Sequence, residues 1–154
     1  MDALGTSLTQ VLDLLHTDIL AAVDPLKDEE INWVHPSLSN NIGILLRHIA
    51  ASERYWIGEV AGGRAMQRNR SAEFGRERLS KAPLVDDLRR AHTEVREVVQ
   101  KLTGPDLMSE VEVELRGSRR RETRAWAVMH SMQHTGYHLG QIQLFKKMAT
   151  SRQG

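Results

Sequence analysis

The chain has 154 residues, 40% of them hydrophobic, enough apolar material for one continuous core and a single domain spanning residues 1–154. With no cysteine, disulfide staples, thiolate nucleophiles and Cys-type zinc knuckles are excluded, and His, Asp and Glu remain as possible metal ligands. Twenty-one Lys and Arg against twenty Asp and Glu give a formal net charge of +1, which argues against nucleic acid or an anionic membrane surface as a partner.

The opening stretch MDALGTSLTQVLDLLHTDIL lacks a basic region ahead of an apolar run and carries Asp2, Asp13, His16 and Asp18 within its apolar pattern. Neither a signal peptide nor a membrane span is expected, and the cytoplasm is the expected location. Instead, Leu4, Leu8, Val11, Leu12, Leu15, Ile19 and Val23 recur with the one-sided spacing of an amphipathic helix, closed by Asp24 and Pro25. A second helix is expected from an Asn40 or Asn41 cap through Ile42, Leu45, Leu46, Ile49, Trp56 and Val60 to the Gly62-Gly63 pair.

Residues 62–79 have no periodicity and hold five arginines, which reads as a long surface connection. Ser80 and Pro83 introduce a third helix with the stripe Leu84, Leu88, Val95, Val99 and Leu102, and Gly104-Pro105 terminates it. Residues 111–115 alternate with period two but have no convincing strand partner, and Gly117-Ser118 with its neighbouring arginines reads as a turn. A fourth helix is expected from about Thr123 to about Ala149. Four long amphipathic helices make the expected class all-α, a four-helix bundle, with long loops between helices 2 and 3 and between helices 3 and 4.

The fourth helix carries His130, His134 and His138. Four-residue steps turn each imidazole only ~40° from the last and ~6 Å along the axis, so the three share one face. That face also holds Ala127, Gln141, Phe145 and Met148, so the histidines point toward the core. An i, i+4 pair can share one ion, since metal–nitrogen bonds are ~2.0–2.1 Å long. His130 and His138 are ~12 Å apart in rise. The pair is therefore His134 with His138 or His130 with His134, and geometry alone does not choose. For a third ligand, His16, His48 and His92 each lie on an apolar stripe of another helix. A single histidine on an apolar stripe is more often a core residue hydrogen-bonded to a neighbour, and His16 and His92 taken alone read that way.

Two segments, SNNIGILLRHIAASERYW at residues 39–56 and HSMQHTGYHLGQI at residues 130–142, resemble the DinB-like superfamily of metal-binding four-helix bundles, which includes YfiT-type hydrolases and thiol-dependent transferases. The first resembles the family's Asn-rich cap, apolar run and single histidine, and the second its H-x-x-x-H-x-G-Q-I element. The resemblance implies an up-up-down-down bundle in which His48, His134 and His138 bind zinc or nickel, with water in the open positions. An all-histidine set independently suits a transition metal rather than magnesium or calcium.

Around this set, Tyr55, Trp56 and Glu59 lie near the face of His48 as possible pocket residues, Glu59 also as a proton acceptor, and His130 and Gln141 share the face of the pair. The bland alternatives are core aromatics, a solvated carboxylate and ordinary helix packing. The arginines around residues 116–124 offer attraction for an anionic substrate such as a carboxylate-bearing thiol, or are a solvated basic loop. Extra apolar positions and Gly136 and Gly140 on helix four fit an isologous homodimer. The resemblance implies a metal-dependent hydrolase or thiol-dependent S-transferase using a low-molecular-weight thiol and acting on a small molecule; the alternative is a non-catalytic, stress-associated dimer with a structural ion.

Overall fold

The first stripe forms helix α1 (Ala3–Val23), which buries Leu8, Leu12, His16, Ile19 and Val23 and leaves Leu4 and Val11 at the surface. The computed structural model describes residues 3–151, so Asp2 and the ends of the expected domain, residues 1–2 and 152–154, lie outside the described residues. A short helix, α2 (Asp28–Ile31), follows Pro25. Helix α3 (Ile42–Glu53) begins at Asn41, whose side chain accepts from the Ile44 N–H at 2.8 Å and so satisfies one of the free amides of the first turn.

The second helix is not uniform. From Arg54 to Ala61 it widens into a π-helix, ending in a bond from the Gly62 N–H to the Ile57 carbonyl at 2.9 Å. Across this stretch Arg54 reaches out to Asp87 at 3.0 Å and Glu94 at 2.6 Å. Gly62 closes it because a Cβ there would lie 2.7 Å from both the Gly58 carbonyl oxygen and Val98 Cγ1.

Residues 62–79, expected to be a plain surface connection, contain helix α4 (Arg70–Glu73), capped by the Asn69 side chain. Helix α5 (Lys81–Lys101) buries Leu88, Ala91, Val95, Val98 and Val99. Gly104-Pro105 does more than stop it: these residues open helix α6 (Gly104–Met108), with Thr103 and Asp106 forming a reciprocal capping box.

Residues 111–115 do have a strand partner, which corrects the expectation. Strand β1 (Glu110–Leu115) pairs antiparallel with β2 (Ser118–Thr123) in the register Leu115↔Ser118 to Glu110↔Thr123. The turn is Arg116-Gly117 rather than Gly117-Ser118, with φ of 53° and 78°, the paired positive values of a two-residue I′ turn. The partner was hidden because SRRRET has no apolar alternation; it matches an acidic strand through opposed charges, Glu112 facing Arg121 and Glu114 facing Arg119. Helix α7 (Arg124–Thr150) then runs from a Thr123 cap.

Helices α1 and α3 each pack against both α5 and α7. The core between them has two apolar parts, one around Ile19, Leu45, Ile49, Leu88 and Ile142, the other around Leu12, Trp56, Val95, Val128 and Met132. A polar layer separates them, one residue from each long element. His16 Nε2 lies 2.8 Å from Glu53 Oε2, the Thr135 hydroxyl donates to Glu53 Oε1 at 2.8 Å, and His92 stacks on His16 at 4.2 Å while bonding Asp13 at 2.8 Å. Among the described residues no helix is long and apolar enough to cross a membrane.

Two stability measurements check this account. Glu53→Ala strips buried His16 and Thr135 of their shared acceptor and is expected to cost about 2–5 kcal/mol in chemical denaturation. Arg116→Asn places a residue that tolerates positive φ in the hairpin turn and is expected to gain about 0.5–1 kcal/mol.

Candidate metal centre

Three imidazoles on two helices meet in the interior. His48 comes from the middle of α3, and His134 and His138 from successive turns of α7. His134 Nε2 lies 3.1 Å from His48 Nε2 and 3.1 Å from His138 Nε2, and one ring nitrogen of each residue falls within 4.8 Å of the others. Bonds of ~2.0–2.1 Å to one ion place ligand nitrogens ~3.3 Å apart at a tetrahedral angle and ~2.9 Å apart at a right angle. The two separations from His134 fall between these.

The outer nitrogens of two of the three rings fix their tautomers, while that of His134, Nδ1, is buried without a hydrogen-bond partner among the described residues. His48 Nδ1–H donates to Glu73 Oε2 at 2.7 Å, and His138 Nδ1–H donates to Gln141 Oε1 at 2.6 Å, so both Nε2 lone pairs face inward. His134 Nε2 sits between those two acceptors. A single proton on it can satisfy one of them and leaves the other lone pair opposed, whereas a cation satisfies all three. The donor set therefore fits a divalent transition metal.

Electrostatics keep the rings in the form a metal requires. Burial, then the neighbouring His138, His48 and His130, push His134 down to about 3. His48 is lowered mainly by burial, against the opposing pull of Glu73, and His138 mainly by burial, against Gln141. For Glu73 burial works the other way, but hydrogen bonds from Arg68 and His48 outweigh it and hold the carboxyl below its ordinary range.

Glu73 is the residue that sequence reasoning missed. It is 3% exposed, and Arg68 grips its carboxylate at 2.6 and 3.0 Å. Arg47, the neighbour of His48, donates to the Glu73 carbonyl at 2.9 Å and the Gly75 carbonyl at 2.8 Å and also pairs with Glu77. The loop is thus clasped against His48. The available signal was an acidic residue after an Asn69 cap within an arginine-rich stretch, which carries no periodicity to single it out.

The other candidates separate. Tyr55, Trp56 and His130 line a cavity of about 650 Å³ that reaches His48 and His134. His130 stacks on Trp126 at 4.8 Å with its ring 6.4 Å from that of His134. Glu59 instead accepts from the Met66 N–H at 3.1 Å, outside the lining of that cavity. His16 and His92, left open by spacing alone, belong to the polar layer with Glu53 and Asp13.

An imidazole with a folded-state pKa of about 3 against 6.5 in the unfolded chain binds fewer protons when folded between those values, so stability rises with pH across that window. The metal-free protein is expected to lose thermal stability as the pH drops below 6.5 toward 3; a constant Tm over that range would contradict a neutral triad.

Comparison with known proteins agrees with this architecture. A crystal structure described as the conserved protein of locus from Enterococcus faecalis superposes with a TM-score of 0.73, covering 98% of this chain and 99% of that one at 13% identity, a likeness of fold alone. No curated protein matches the chain. The family model of the DinB superfamily matches residues 12–142, most of the sequence, and the chain belongs to that superfamily.

Proposed function

We propose that the protein is an up-up-down-down four-helix bundle in which His48, His134 and His138 ligate one zinc or nickel ion, and that it is a metal-dependent hydrolase or thiol-dependent S-transferase acting on a small molecule. The observation that carries the catalytic part is the cavity of about 650 Å³ opening onto His48 and His134, within the size range of small-molecule sites. Three protein ligands beside an open cavity follow the layout of catalytic rather than closed structural sites. A divalent ion there supplies Lewis acidity, able to polarise a substrate oxygen or to acidify water or a thiol.

The chain's own residues do the rest. Glu73 and Gln141 orient two imidazoles through their Nδ1 atoms and raise their donor strength. Trp56 and Tyr55 wall part of the cavity. His130, its pKa lowered by burial and then by Arg120 and Arg116, lines the same cavity and offers an imidazole for proton transfer there. One observation favours the structural reading instead: the triad joins α3 to α7, so an ion would also brace these two helices.

Metal analysis of untagged protein is expected to give about one equivalent in the native chain and none in His48→Ala or His134→Ala. Glu73→Gln should weaken metal affinity by about 10- to 100-fold without abolishing it. Full occupancy in both alanine variants would remove the triad. Metal-dependent turnover in a screen of esters, and of epoxides with thiols, supports the enzyme; unfolding on metal removal with no turnover supports the brace.

A further inference from the structure

The cavity above the triad carries positive charge that metal binding does not use. Besides histidines, its charged lining residues are Arg68, Arg70, Glu114 and Arg116. Arg68 is matched by Glu73. Glu114 lies 3.9 Å from Arg119, and the other acids of β1, Glu112 and Glu110, reach diagonally to Arg119 at 3.6 Å and Arg121 at 3.1 Å. Arg70 and Arg116 have no carboxylate partner among the described residues.

These two arginines come from separate elements, the first turn of α4 and the turn of the hairpin, and meet at one cavity. Arg116 is also held at φ 53° in a turn position that favours Asn, Asp or Gly. A strained residue kept at the lip of a cavity is a mark of a functional position. A guanidinium offers a planar fork that matches carboxylate and phosphate, and a concave site concentrates its field. Inside the cavity, Trp56, Tyr55 and Leu115 provide apolar walls for the body of a ligand.

Resting on the reading of the triad as a metal centre, we propose that Arg70 and Arg116 form an anion subsite at this cavity. It selects small molecules with a carboxylate or phosphate at the end remote from the group presented to the histidines.

The test uses cobalt-loaded protein, whose visible spectrum reports ligands reaching the ion, titrated with acetohydroxamate, succinate monohydroxamate and phosphonoacetohydroxamate. At low salt at least one anionic probe is expected to bind about tenfold or more tightly than neutral acetohydroxamate, and its identity separates carboxylate from phosphate. The preference should shrink in about 0.5 M salt and fall to near parity in the Arg70→Gln/Arg116→Asn double variant. Equal affinities in the native protein, or a preference that survives in the double variant, would overturn the subsite while the cobalt spectrum upholds the metal centre. Failure to bind cobalt would overturn the metal centre itself, and the subsite with it.

Discussion

Three imidazole lone pairs aimed at one point inside a helical protein set the terms for everything around them. A buried acceptor without a donor is costly, and here the helix backbones force the three together. His134 and His138 are fixed four residues apart on α7, and His48 is brought against them by the packing of α3 on that helix. Glu73 and Gln141 then occupy the outward nitrogens, so two rings cannot escape by exchanging tautomers. Neutral imidazoles so arranged suit a cation and are poorly satisfied by protons.

The same interior holds a second histidine cluster with a different fate. His16 and Glu53 are each 1% exposed and share a hydrogen bond, with Thr135 completing the carboxylate and His92 stacked above. Every strong contact of that layer joins a donor to an acceptor. In the triad, one ring nitrogen faces two acceptors, and a single proton cannot serve both. Residue type alone does not distinguish a candidate ligand from a structural histidine; the chemistry of its nearest partner does.

Access separates an ion that reacts from one that only braces. The loop after the π-helix is folded back by Arg47 and Arg68 so that Glu73 covers one side of His48, while Tyr55, Trp56 and the hairpin turn leave an open cavity on the other. The widened turns at Arg54–Ala61 lie directly beside that opening, a frequent position for π-helical segments at sites. The charge of the hairpin is matched between its strands or, for Arg120 and Glu122, within β2, except at its turn, so the electrostatic character of the mouth comes from very few residues.

Apolar periodicity located all four long helices, because burial on one side of a helix repeats in the chain itself, and the Asn41 and Thr123 caps marked two of their starts. The inward direction of the α7 histidines was legible for the same reason. Which histidines meet was not: spacing left His130, His16 and His92 as open as His48, since distances between helices depend on packing that no local pattern records. The strand Ser118–Thr123 and the carboxylate of Glu73 were hidden for a related reason. Both are held by partners distant in sequence, through charge and hydrogen bonds rather than apolar repeats, and such pairings exist only once the tertiary fold brings them together.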